Sequence, residues 1–134
     1  MSSILRHAED TYEAYRAADF PSRRFSPEAF HTVLRTVVTT SDGLLSMERA
    51  GESFEGRPIE LVRLGSGPTK ILLWSQMHGD ESTATMAIVD ILRFAMLHRA
   101  TPELQRLLAS ISMFFLPMLN PDGAARFQRR TAQG

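Results

Sequence analysis

Lys70-Ile71-Leu72-Leu73-Trp74-Ser75 opens directly onto Gln76-Met77-His78-Gly79-Asp80-Glu81-Ser82-Thr83, and this junction decides the fold. The first six residues form a short apolar run bounded upstream by the turn signal Gly65-Ser66-Gly67-Pro68. Such a run predicts a strand buried on both faces of a sheet. The helical pattern behind it extends to about Arg99. Ile88, Val89, Ile91, Leu92, Ala95 and Met96 cover the wide arc expected of a helix packed on a sheet. Thr101-Pro102-Glu103 starts a further short helix through Leu108, and Met113-Phe114-Phe115-Leu116-Pro117-Met118-Leu119 reads as a second buried strand. Residues 70–119 thus have the length of a right-handed strand–helix–strand crossover, which predicts an α/β fold with a parallel pair of strands.

Upstream, Ser26-Pro27-Glu28 is an N-cap, a proline at the first helical position and an acidic first-turn residue. Phe30, Val33, Leu34, Val37 and Val38 then recur at i, i+3, i+4, i+7 and i+8, the inner face of an amphipathic helix that ends at Thr39 to Gly43. From Leu45 to Ala50 the period suits a strand. Gly51 to Pro58 is rich in turn residues, and Ile59 to Leu64 is a second strand. Residues 1–20 carry a weaker, Ala-rich helical pattern with Ile4, Leu5, Tyr12 and Tyr15 as its anchors, closed by the break Pro21-Ser22-Arg23-Arg24. The expected organisation is a helical lead-in over 1–43 and an α/β unit over 44–134.

Composition narrows the function classes. The 134 residues include 15 basic and 15 acidic side chains, so zero formal net charge leaves no electrostatic footprint for nucleic acid or an anionic membrane. With no cysteine, disulfides, thiolate zinc sites and cysteine nucleophiles are excluded. The most apolar stretch, Met86 to Leu97, is broken by Asp90 and Arg93 and falls short of the roughly 18 apolar residues of a membrane span. Arg6, His7, Glu9 and Asp10 interrupt the N-terminal stretch, unlike a secretory signal peptide, so a soluble, cytoplasmic protein is expected.

In open α/β sheets chemistry gathers beyond the carboxyl ends of the strands. Two motifs fall there, His78-Gly79-Asp80-Glu81 and Asn120-Pro121-Asp122-Gly123. Imidazole and carboxylate at His78 and Glu81 are normal zinc donors, and Gly79 would let the backbone bend so that both converge on one ion. The plainer reading makes Asp80 or Glu81 a helix cap and His78 a loop histidine. Asn-Pro-Asp-Gly likewise suits a type I turn with no catalytic task. Arg126, Arg129 and Arg130 have the plain reading of a solvated basic face. His31 and His98 look peripheral; His98, at the far end of a helix, lies roughly 25 Å from His78 at 1.5 Å per residue and is no third ligand.

Taken together the motifs resemble the zinc carboxypeptidases of the carboxypeptidase A type, over about residues 44–134. Gly51-Glu52-Ser53-Phe54-Glu55-Gly56-Arg57-Pro58-Ile59 is similar to the family's approach to its second strand. His78 and Glu81 match its His-x-x-Glu signature, and Asn120 to Gly123 its NPDG segment. The resemblance implies the N-terminal part of a three-layer α/β/α catalytic domain with a mixed, partly parallel sheet. It further implies Zn2+ held by His78 and Glu81, Arg129 as the oxyanion-stabilising arginine with Arg130 as the fallback, and peptide C-termini as substrate. The family's carboxylate-binding Asn-Arg pair, third zinc ligand and glutamate general base have no counterpart in these 134 residues. The chain alone is therefore expected to be an inactive fragment, with an exposed sheet edge prone to self-association. The related zinc deacylases (the aspartoacylase and succinylglutamate desuccinylase type) and a non-catalytic α/β module with a vestigial metal site are the alternatives.

Overall fold

A computed structural model describes residues 3–134. Helices α1 (Ser3–Asp10), α2 (Tyr12–Tyr15) and α3 (Pro27–Thr39) precede strands β1 (Leu45–Glu52), β2 (Pro58–Leu64) and β3 (Thr69–Trp74). Helices α4 (Thr83–Leu97) and α5 (Pro102–Ser110), strand β4 (Ile111–Leu116) and helix α6 (Pro121–Arg126) complete the order. The four strands make one sheet in the order β1-β2-β4-β3. β1–β2 and β2–β4 are antiparallel, while β3 and β4 are parallel partners from Thr69↔Ile111 to Trp74↔Leu116. The α/β class and the mixed sheet hold, and the α4–α5 crossover joins its parallel pair.

Local chemistry explains most boundaries. The Ser26 hydroxyl accepts the Ala29 N–H and Pro27 takes the first helical position of α3, as its sequence predicts. Phe30, Leu34 and Val37 are buried on its inner face, with Val33 and Val38 at the margin. In α4, Ile88, Val89, Leu92 and Ala95 are buried, but Ile91 faces outward. Of the N-terminal anchors, Tyr15 is buried and Ile4 packs on the core, whereas Leu5 and Tyr12 are exposed. Tyr12 meets Tyr15 edge-on.

One core joins α3, α4 and α5 to a single face of the sheet. Leu45 (β1), Val62 and Leu64 (β2) and Phe115 (β4) belong to it, with Met47, Met113 and Leu73 packed at its edge. The pairing register puts Leu61, Phe114, Leu116, Leu72 and Trp74 on the opposite face. No helix belonging to the core cluster covers that side among the described residues. Here the structure corrects the sequence reading. β3 is an edge strand rather than one buried on both faces, and Ile71, Leu72 and Trp74 are 38%, 53% and 55% exposed. β4 is interior to the sheet, yet only Ser112 and Phe115 along it are fully buried.

Candidate active site at the strand ends

The loops after β3 and β4 run side by side. Past the last parallel pair, Ser75 N–H donates to Leu116 O (3.0 Å), Leu119 N–H to Ser75 O (3.1 Å) and Asn120 N–H to Gln76 O (3.0 Å). This laddering continues the sheet into the two motifs, so the segments 75–82 and 117–124 behave as one layer.

A buried polar cluster holds the first loop. The Thr85 hydroxyl lies 2.8 Å from Gln76 Oε1 and 2.8 Å from Pro117 O; Ser75 Oγ bonds the same carbonyl and lies 3.0 Å from Thr85 Oγ1. Gln76 Nε2 then donates to Gly79 O at 2.8 Å, closing the loop beneath His78. Gln76 takes a left-handed φ of 50°, so the bend falls there and not at Gly79. Gly79 is required for a different reason. A Cβ on it would stand 1.9 Å from Gly123 C and 2.2 Å from Ala124 N. The two loops touch backbone to backbone, and only hydrogen fits between them.

His78 is half-buried and Glu81 is exposed; the Glu81 N–H donates to His78 O at 3.1 Å. Neither Asp80 nor Glu81 caps α4. Its N-cap is Ser82, whose hydroxyl donates to Arg23 O instead of receiving an N–H of the helix. Arg129, 48 residues further along, donates from its guanidinium to the Glu81 carboxylate. Arg126 pairs with Glu55, so neither arginine belongs to a merely solvated face. Arg130 contributes its backbone carbonyl, which accepts from Asn120 Nδ2 at 3.3 Å. His98 caps α4 at its far end against Thr11 and His7, remote from the loops. His31 pairs with Glu60 at 2.9 Å.

The second motif is not a free turn. Asn120 N-caps α6 by accepting the Gly123 N–H at 2.9 Å, with Pro121 at the first helical position. Asp122, 2% exposed, accepts from Ser53 Oγ at 2.7 Å, Arg57 Nη1 at 2.7 Å and Glu55 N–H at 3.1 Å. Burial pushes its carboxyl up, but these bonds and the Arg57 charge outweigh that and hold it below the usual aspartate value. Glu55 and Asp122 in turn raise Arg57 above the ordinary arginine value. The segment 53–57 is thereby fastened to the start of α6. Sequence reading passed over Ser75, Gln76, Thr85, Asn120 and Asp122 as individual site residues. The apolar strand breaking into Ser-Gln, and a polar Thr85 on the inner arc of α4, are the signals that mark the first three.

No site here holds a cluster of three or more His, Cys, Asp or Glu side chains among the described residues. An imidazole and a carboxylate three residues apart on one loop still suit zinc as two donors, and among the described residues the Glu81 carboxylate is engaged only by an exposed ion pair. The donor chemistry therefore fits two of the three protein positions that catalytic zinc uses. No helix among the described residues is long and apolar enough to cross a membrane.

Comparison with known proteins places the fold. The chain is 31% identical over 108 residues to rat carboxypeptidase A2, covering 74% of this chain and 26% of that one. It is 28% identical over 115 residues to a zinc carboxypeptidase of Saccharothrix mutabilis subsp. capreolus, covering 78% of this chain and 26% of that protein. The fold superposes on a metallo-carboxypeptidase from Burkholderia cenocepacia with a TM-score of 0.69 and 24% identity, covering 82% of this chain and 31% of that structure. The chain thus spans about a quarter of the two curated relatives and under a third of the solved structure. The sequence profile of the zinc carboxypeptidases matches residues 30–133, from α3 through the arginines beyond α6, and the chain belongs to that family.

Proposed function

We propose that this chain is the amino-terminal, ligand-bearing portion of a zinc-dependent hydrolase that removes residues from peptide C-termini. His78 and Glu81 are its metal ligands, and Arg129 is the cation that faces the developing oxyanion. The observation that carries this reading is the meeting of Glu81 with Arg129 across 48 residues of sequence, at the carboxyl ends of the parallel pair. A bound zinc would supply Lewis-acid polarisation of a carbonyl and a water of lowered pKa.

The chain's own residues supply position. Gln76, Thr85 and Ser75 fix the loop beneath His78, so the imidazole is presented from a loop fastened to α4 and to the end of β4. Asp122 and Arg57 hold the approach segment 53–57 against α6. The Arg129 side chain, in the irregular segment after α6, is 58% exposed and held only by its pair with Glu81 among the described residues; loss of one oxyanion donor typically costs about 10²–10³ in rate. With two donors and no general base identified, the chain by itself should not turn over peptides appreciably.

Zinc titration by calorimetry tests the site. The chain should bind one Zn2+, and His78→Ala and Glu81→Ala should each abolish that binding. Unchanged affinity in both variants would favour a non-catalytic module with structural loops. Robust release of C-terminal residues from unblocked peptides by the chain alone would overturn the fragment reading.

A further inference from the structure

Besides the Arg129–Glu81 pair, one buried side chain bonds to both functional loops. Asn120, 7% exposed, donates from Nδ2 to Met77 O at 3.2 Å and to Arg130 O at 3.3 Å, while Oδ1 accepts the Gly123 N–H. Met77 immediately precedes the candidate ligand His78, and Arg130 immediately follows the candidate arginine Arg129. Neither carbonyl receives another hydrogen bond among the described residues. We propose that Asn120 is a positioning residue that sets the separation of the His78 loop and the Arg129 loop through its side-chain amide. This rests on the metal-site reading above for its consequence, though not for its geometry.

The cap alone does not account for the residue. An N-cap needs an oxygen acceptor, which Ser, Thr and Asp supply as well as Asn. Only an amide of this length offers two donors in addition to the acceptor. The surroundings are built around that group. A Cβ on Gly123 would stand 2.5 Å from Asn120 Nδ2 and 2.6 Å from Arg130 O, so the glycine leaves room for the amide and its second acceptor. Gly79 clears the same interface from the other side, where its missing Cβ admits the Gly123 backbone. With the Asn120 backbone N–H also bonded to Gln76 O, one residue holds four points on three segments. Removing the donors frees the Met77 and Arg130 carbonyls from each other and loosens the spacing of the two loops, while the cap can persist.

Asn120→Asp and Asn120→Ser both keep a capping oxygen and delete the two donations. Aspartate adds a negative charge, which by itself favours a cation, so weaker binding in that variant reports lost position and not lost charge. Both should bind Zn2+ about tenfold more weakly than the parent chain, as when groups supporting a metal ligand are removed. The urea midpoint should move little, and amide exchange should accelerate at Met77–His78 and Arg129–Thr131 but not in α4. Zn2+ affinity and loop exchange equal to the parent would overturn the proposal. The parent chain gives a test that needs no variant. The Asn120 side-chain amide protons should exchange slowly and resonate apart from those of exposed Asn and Gln. Free exchange of those protons would equally overturn it. If the parent binds no Zn2+, or binds it independently of His78, the metal reading falls. The Asn120 proposal is then decided by side-chain amide protection and loop exchange alone.

Discussion

Both faces of the four-stranded sheet carry large apolar side chains, and they meet opposite fates. On one, Val62, Leu64 and Phe115 are at most 1% exposed beneath α3, α4 and α5. On the other, Leu72 and Trp74 stand more than half exposed beside Phe114, whose ring lies under the Arg63 guanidinium at 5.7 Å from its centroid. Apolar composition on both faces of a strand states that both can be buried; the packing partner decides which is. The contrast breaks if the faces are energetically alike. Phe115→Ala should cost about 3–5 kcal/mol, the usual range for a large side chain deleted from a core. Trp74→Ala should stay within about 1 kcal/mol, because the ring has little packing to lose. Urea denaturation of both variants measures the difference, and equal losses would mean that the outer face is also covered.

A second contrast sets Asp122, which is sealed, against Glu81, which is open. Asp122→Ala should cost about 2–3 kcal/mol, somewhat below a fully buried ion pair because Arg57 keeps Glu55. The pH dependence follows from its lowered folded pKa. Between the folded and unfolded values the unfolded chain binds more protons, so stability falls as the pH falls. The Asp122 contribution is complete above the ordinary aspartate value of about 3.9 and is lost as pH drops through the folded value. Asp122→Asn should therefore flatten the acid limb of the stability curve. An acid limb identical to the parent's would show that Asp122 is not what titrates there.

Both contrasts mark where sequence was informative. The cap and stripe of α3, the four strands, the crossover and the placement of His78 and Glu81 beyond β3 are local patterns, and periodicity carries them. The exposed side of β3 was not legible, since an apolar run does not record whether its own chain supplies the cover. Asn-Pro-Asp-Gly read as a turn because the first turn of a helix and a type I turn use the same backbone region and the same residues. Gly79 suggested a bend, yet its neighbour is a backbone more than 40 positions away. The grip of Asp122 on Ser53, Glu55 and Arg57 likewise spans 65–69 positions and has no local trace. The site's support is non-local, whereas its two ligand candidates are neighbours in sequence.

The outer edge offers a sharper test of the face comparison. Lys70 is the only charge on β3, and its ammonium is folded back onto Gly67 O and Ser112 Oγ at 3.1 and 3.2 Å. The edge thus lacks the outward lysine with which natural sheets discourage pairing. Self-association that rises with concentration is expected in sedimentation velocity, and Leu72→Lys should weaken it several-fold while leaving the urea midpoint within about 0.5 kcal/mol. A parent chain that stays monomeric at every concentration would remove the bare edge as a functional surface.

The smallest effect concerns the open carboxylate. Glu81 and Arg129 have side chains 53% and 58% exposed, and exposed pairs are typically worth about 0–1 kcal/mol. A cation arriving at Glu81 must displace or share with the guanidinium, so the pair opposes metal binding by no more than that amount. Arg129→Ala should then raise Zn2+ affinity by a few-fold at most. Raising the salt should shrink the difference between variant and parent, because screening weakens the same pair. Asp122→Ala gives no such gain, since its carboxylate is committed elsewhere. A variant affinity that is lower than the parent's would place Arg129 in support of the metal loop and not in competition with it. A difference insensitive to salt would show that the guanidinium acts through its packing and not its charge.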